Sequence, residues 1–493
     1  MIRRIALTIV LGTATAFAQA LPDRPEKLQF APIKFETPRA KDVKAKLKNG
    51  IPAYVAPNGK EGTPLVRVTV TWRGGAYLDP KGKEGLAALF GSQLVQGGNA
   101  KLDAAKLDDR LEALAAQLTS ACSDTSCTLS LQVLDKDLPE GLDLMMAALT
   151  TPAFAQERLD LAKRQAGQRV SRRNDEVTSI ATYQIQYLLF GESHFASAAD
   201  TVASLAAITR DDLLAFHARE LHPGNMVVAA SGQFERKAMI EALDRTLGTL
   251  KPGKDARVGP KVPAPDFPRT PGIYVTDKPD APQAMVRWAL PGIRRTDPDW
   301  HAAFVMNQIL GGRGFTSRLM KRIRSDEGLT YGVYTNLEPG TYWQGDLTGS
   351  MQTKNRSVAY ALRLAFEEIK KLKEQPVSDD EMRVNKEGIF EAFPSQWGTK
   401  QAVANRFADE AREGWPEDWW ASYREKIQAV TAADVQRMAR KLFDTERMVI
   451  LAVGQASVIE AGDTDHPGAL KDVAPLPLKG VPLRDPATLK PVP

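Results

Sequence analysis

ITRDDLLAFHARELHPGNMVVAASGQF, residues 208–234, aligns without a gap on VTAADVQRMARKLFDTERMVILAVGQA, residues 430–456. Thr209 meets Thr431, Asp212 meets Asp434, Met226-Val227 meets Met448-Val449, and Gly232-Gln233 meets Gly454-Gln455. Each copy opens on T-x-x-D, a helix-capping signal, runs on as an amphipathic helix and turns into an apolar strand. A second pair lies upstream. LVRVTVTWRGGAYLDPKGKEGLAALFGSQLVQGG (65–98) resembles AMVRWALPGIRRTDPDWHAAFVMNQILGGRG (284–314). Each is an alternating strand, a D-P turn and a helix ending in glycines. CTLSLQVL from 127 then corresponds to GDLTGSMQ from 345, and helices follow that end in TTPAF and EQPVS. The offset stays at roughly 220 residues, too long for a solenoid repeat. The chain is a duplicated domain. Each half mixes strands with paired helices, which predicts an α+β fold: a mainly antiparallel sheet with helices packed on one face.

The boundaries follow from composition. Residues 1–20 have a secretory form, with Arg3 and Arg4 before an apolar stretch and a small-residue A-Q-A site, so cleavage is expected after Ala20. An uncleaved anchor is the weaker alternative, because the apolar run is shorter than a bilayer needs. The leader predicts export to a bacterial periplasm. The first domain is placed at 41–250 and the second at 273–460. A linker rich in Pro, Gly and charge joins them at 251–272, and a proline-rich tail at 461–493 either crosses another surface or stays disordered. Of 493 residues, 43% are hydrophobic and 25% charged, the balance of a soluble globular protein with ample core. The formal charge of +5 falls to about +3 once Arg3 and Arg4 leave with the leader, and the basic residues are dispersed. That gives no argument for nucleic acid.

Chemistry-bearing residues are sparse. The five histidines, His194, His217, His222, His301 and His466, include no pair at helical ligand spacing and no H-x-x-E-H. There is no G-x-S-x-G elbow and no Walker loop. LGGRGFTSRL (310–319) fits a helix end and turn better than a phosphate cradle. The only two cysteines, Cys122 and Cys127, suit opposite sides of a tight hairpin with SDTS at its tip. An oxidising compartment permits a disulfide; two free thiols remain open, and a metal site lacks nearby His. In EGLAALFGSQL (84–94), Leu86, Leu89, Phe90 and Leu94 share one helical face, and the opposite face holds only the small residues Ala88, Gly91 and Ser92. Further on, Arg318, Arg322 and Arg324 crowd one helix, and EGLTYGVYT turns into a strand in which Tyr331, Val333 and Thr335 alternate with Gly332 and Tyr334. Arg324 and Tyr331 can converge there as donors to a carbonyl or an oxyanion. Taken alone, a surface arginine and a packed tyrosine account for them better.

LGGRGFTSRLMKRIRSDEGLTYGVYT resembles the second-domain pattern of the insulinase/pitrilysin family of inverted zincin metallopeptidases: a Gly-rich turn, an S-R-L helix, then R-x-x-x-G-L-x-Y. LHPGNMVVAASGQF is similar to that family's first-domain close, and the likeness runs from about 45 to 460. It implies tandem homologous α+β domains around a substrate cleft. It also implies a first helix bearing H-x-x-E-H, whose two His bind zinc and whose Glu activates water. Against that motif, Ala88, Gly91 and Ser92 stand where His, Glu and His belong, and the third ligand falls near Gln168. None of the four is an adequate zinc ligand or base, so this chain is expected to hold no catalytic zinc. Arg324 and Tyr331 match the family's Arg/Tyr pair, taken to contact substrate carbonyls beside the scissile bond. Several relatives are built from two chains, one with zinc and one with the Arg/Tyr pair. The resemblance therefore implies a zinc-less subunit whose homologous partner carries the zinc and H-x-x-E-H, acting on peptides in a shared cavity. The alternatives are a catalytically inactive scaffold, as in zinc-less relatives resembling respiratory-complex core proteins, and a homodimeric peptide-binding module.

Overall fold

The strand at Leu65–Arg73 shows how the sequence builds its sheets. Val66, Val68, Val70 and Trp72 are buried, while Arg67, Thr69 and Thr71 between them are only half-buried. That is the two-residue period of a sheet with an apolar core on one face. The structure, a computed structural model, describes residues 24, 35–59, 62–254, 258, 261–265 and 270–492. The expected leader at 1–20 and parts of the 251–272 linker lie outside the described residues. Every described strand belongs to the compact unit that begins at Thr37.

Among the described residues there are two six-stranded sheets. The first contains β1 (Lys44–Lys46), β2 (Pro52–Pro57), β3 (Leu65–Arg73), β4 (Gln117–Cys122), β5 (Ser126–Leu134) and β6 (Met226–Gly232), in the order β1-β2-β6-β3-β5-β4. The second contains β7 (Gly272–Asp277), β8 (Ala284–Pro291), β9 (Thr330–Pro339), β10 (Gly345–Thr353), β11 (Val449–Gly454) and β12 (Leu478–Gly480), in the order β12-β7-β11-β8-β10-β9. The orders superimpose: β2 matches β7, β6 matches β11, β3 matches β8, β5 matches β10 and β4 matches β9. Even the parallel pair β2–β6 recurs as β7–β11, and the other pairings are antiparallel except β12 on β7. The repeated T-x-x-D signals form equivalent capping boxes. Thr209 caps the helix Arg210–Glu220 with Asp212, and Thr431 caps Ala432–Leu442 with Asp434. Each such cap contributes about 1 kcal/mol.

The halves exchange helices. Val177–Phe190, from the first half of the chain, lays Val177, Ile180, Ala181, Ile185 and Leu189 on Met285, Ala289, Val449, Leu451 and Val453 of the second sheet. In return Lys400–Glu413, from the second half, packs on β2, β3 and β6, with Phe407 stacked on Tyr54 at 6.2 Å. This explains why β6 and β11 are buried at every residue: both faces are covered. The tail follows a surface. After β12 it crosses to the first half, where Gln184 Nε2 donates to the Pro482 carbonyl at 2.9 Å, Asn174 Nδ2 to that of Arg484 at 2.7 Å and Arg173 Nη1 to that of Pro486 at 3.1 Å.

Candidate functional site

The helix on which the resemblance places the replaced zinc motif spans Leu86–Gln96. Its apolar side, Leu86, Leu89, Phe90 and Leu94, is buried in the first core. Its N-terminus is held by Asp79, whose carboxylate accepts from Gly85 N at 2.9 Å and Ala87 N at 2.8 Å. Burial pushes the Asp79 carboxyl up to about 7 against those two hydrogen bonds. Ala88 is exposed, and Ser92 is half-buried with its hydroxyl donating back to Leu89 O at 3.0 Å. Gln168 is exposed on the helix Gln156–Ser171, which packs against the helix Leu86–Gln96.

Gly91 has a packing role that its small size does not announce. It is buried, and a Cβ on it would lie 2.3 Å from Cys122 N and 2.8 Å from Ala121 C. Edge strand β4 lies directly on the helix there, and Ser120 Oγ donates to Gly91 O at 2.6 Å. A glutamate at 91 would need the backbone of β4 to move. Ala88, Gly91, Ser92 and Gln168 do not fit a zinc ion: they lack donors of the right class, and main chain fills the space a side chain at 91 would need. Among the described residues, no three His, Cys, Asp or Glu side chains come together to hold a metal ion.

Cys122 and Cys127 are paired in register on β4 and β5, and their sulfurs are bonded. The hairpin tip carries Asp124 beside His194. Burial raises the Asp124 carboxyl and lowers His194, while the attraction between them opposes both shifts. Ala88, Cys122, Asp124, Tyr183 and His194 share a cavity of about 850 Å³. Neither Arg324 nor Tyr331 is among the residues that wall it.

The structure does bring Arg324 and Tyr331 together. The helix Trp300–Asn307 continues as a π-helical turn, Gln308–Gly312, and a second π-helical stretch, Met320–Asp326, carries Arg324. The neighbouring arginines are committed. Arg313 donates to Asn385 O at 3.2 Å, Arg318 grips both carboxylate oxygens of Glu381 at 2.7 and 2.9 Å, and Arg322 pairs with Glu327. The Arg324 guanidinium has no hydrogen bond or ion pair among the described residues. Its Cζ instead lies 4.5 Å from the ring centroid of Tyr331 and 4.5 Å from that of Phe315. Tyr331 is 85% exposed and Phe315 67%.

The strand alternation predicted Tyr331 on the side of Val333 and Thr335. Those two are buried and Tyr331 is not. The cause is a register shift: Val333 faces Met351 and Thr330 faces Thr353, so Tyr331 and Gly332 together oppose Gln352. This β-bulge turns the tyrosine outward. Thr330 holds it, accepting from Gly332 N at 3.1 Å and donating to Gln352 O at 2.7 Å. Phe315 was not picked out from the sequence. The trace there is an aromatic side chain directly after Gly311-Gly312-Arg313-Gly314.

Residues 54–197 match "Insulinase (Peptidase family M16)" and residues 207–389 match "Peptidase M16 inactive domain". The chain belongs to peptidase family M16. Within M16 it is similar to "Non-peptidase homolog YmxG" of Helicobacter pylori, at 29% identity over 322 residues, 64% of this chain and 73% of that protein. It is also similar to an "uncharacterized zinc protease" of Streptomyces coelicolor, at 25% identity over 48% of this chain, and spans about half (52%) of that protein. Among solved structures, the crystal structure of a "peptidase M16 inactive domain" from Pseudomonas fluorescens shares the fold with a TM-score of 0.74 at 23% identity. It covers 84% of this chain, which covers 98% of it. This M16 homologue therefore has the two-sheet family fold.

Proposed function

We propose that this M16 homologue is the zinc-less subunit of a two-chain periplasmic metallopeptidase. The observation that carries the reading is the state of Arg324. It is held in place by aromatic rings, left without an acceptor beside an outward-turned Tyr331, on a chain whose own first helix cannot take zinc. An arginine with no protein acceptor has N–H groups available for oxygen atoms that arrive with a ligand. The Tyr331 hydroxyl is a second donor. Together they suit a peptide carbonyl, ground state or oxyanion, which gains most where water is excluded. The metal and the attacking water come from a homologous partner with intact H-x-x-E-H. The secretory form of residues 1–20 supports a periplasmic location for the complex.

The test is hydrolysis of a quenched peptide by this chain, by a homologous H-x-x-E-H chain from the same genome, and by the two mixed with zinc. Turnover well above the sum of the separate chains is expected. Zinc-dependent turnover by this chain alone would overturn the reading. Absence of both turnover and co-purification would leave the scaffold role in its place.

A further inference from the structure

Of the four arginines in RGFTSRLMKRIR, three are fixed by oxygen acceptors and only Arg324 is fixed by rings. Tyr331 is one of those rings. The other, Phe315, is a phenylalanine two-thirds in solvent. A single exposed apolar side chain is ordinary, but Phe315 and Tyr331 are two exposed rings gathered on one guanidinium. Its loop is built to present it. Gly314 takes a left-handed φ of +49°, and Ser317 ties the turn with its N and Oγ both donating to Gly314 O, at 3.0 and 2.7 Å. The preceding Arg313 lies over Gly388, where a Cβ would come 1.6 Å from its Nη2. Phe315 thus projects from a pinned turn, and its ring lies under the Arg324 guanidinium.

We propose that Phe315 is a positioning residue: with Tyr331 it holds the Arg324 guanidinium in the orientation that offers its N–H groups to a ligand. The inference rests on the reading of Arg324 as a ligand-contacting donor, but what Phe315 does to Arg324 is measurable on this chain alone. A free arginine samples many rotamers, and one over two rings samples few. Removing one ring returns part of that freedom without touching the donor.

The test uses the full chain labelled with ¹⁵N at arginine, comparing wild type with Phe315→Leu and Phe315→Tyr. In the wild type the Arg324 Nε–H proton is expected upfield of other exposed arginines, because it sits over aromatic rings, and its Nε order parameter high. Phe315→Leu should move the proton downfield and lower the order parameter, with Tm unchanged because the ring is exposed. Phe315→Tyr should retain both signals. In the mixed peptidase, Phe315→Leu should lower kcat/KM about two- to fivefold, the population equivalent of one exposed cation–π contact, and Phe315→Tyr should restore it. An Arg324 signal that ignores Phe315→Leu overturns the proposal whatever the activity. A released Arg324 with unchanged kcat/KM overturns it too. If the wild-type mixture hydrolyses nothing, the two-chain reading fails, while the arginine spectrum still decides what Phe315 does.

Discussion

Gly91 and Arg324 show what one residue settles here. The resemblance aligns Gly91 with the family's general base, and its missing side chain is what lets β4 lie on the helix. Gly91→Ala gains about 1 kcal/mol of helix propensity but forces a methyl group into main chain, and overpacking costs about 1–3 kcal/mol. The expected net result is a lower urea midpoint at unchanged m-value. The chain carrying Ala88→His, Gly91→Glu, Ser92→His and Gln168→Glu together should bind no stoichiometric zinc by elemental analysis; one tightly held ion per chain would show that the face is merely lapsed. For Arg324→Ala, removal of a donor to a developing oxyanion predicts a fall in kcat of the mixed enzyme of about 10²-fold or more, with assembly intact by gel filtration. Tyr331→Phe keeps the ring over Arg324 and removes only the hydroxyl, so it should lose less. If both leave kcat unchanged, the pair is structural. The donors missing at 88, 92 and 168 were legible in the sequence because side-chain identity alone decides them. The role of Gly91 was not, since it is a contact with backbone some thirty residues on. Nor was the outward turn of Tyr331, because a bulge adds a residue to one strand without changing the pattern of residue types.

At the scale of elements, the crossover helix Lys400–Glu413 carries a group that makes its docking pH-sensitive. Glu410 is buried, and burial pushes its carboxyl up to about 8, aided by the Asp418 and Glu417 charges and opposed by Arg406. One of its oxygens, Oε1, has no hydrogen-bond partner. Its folded value lies above the ordinary 4.5, so the folded chain holds a proton that the unfolded chain releases. The stabilisation is therefore complete below pH 4.5 and is lost as pH rises to about 8. Glu410→Gln keeps the shape and removes the titration. Between pH 5 and 8 its urea midpoint should fall less steeply than that of the wild type; parallel slopes would mean that Glu410 does not titrate on unfolding. The apolar runs of β6 and β11 were legible as strands, but that both their faces are covered was not read from them. Which helix covers them was hidden, because Val177–Phe190 and Lys400–Glu413 each match their own half in sequence and the other half's sheet in space.

For the whole molecule, duplication and exchange together set how the chain folds. The repeat at an offset of roughly 220 residues was readable, and the two sheets share one strand order as a duplication requires; the order itself was not read from the sequence. The exchange of helices adds that neither sheet is covered by its own half of the chain alone. Without Lys400–Glu413, the first sheet exposes the face that bears Tyr54; without Val177–Phe190, the second exposes Met285, Ala289, Val449, Leu451 and Val453. The tail adds a third tie, since Gln184 and Arg173, both nearly inaccessible to water, find acceptors on its carbonyls. A buried donor that loses its acceptor costs about 1–3 kcal/mol, and an uncovered sheet face exposes apolar area at about 25 cal/mol per Å². Fragments 37–254 and 261–493, expressed separately, should therefore be aggregated or lack a cooperative thermal transition. Expressed together, they should co-purify at one to one and melt cooperatively, because each supplies the helix the other's sheet needs. A fragment that melts cooperatively by itself, with the near-ultraviolet circular dichroism of packed aromatic side chains, would show that the exchanged helix is an ornament on a domain already complete.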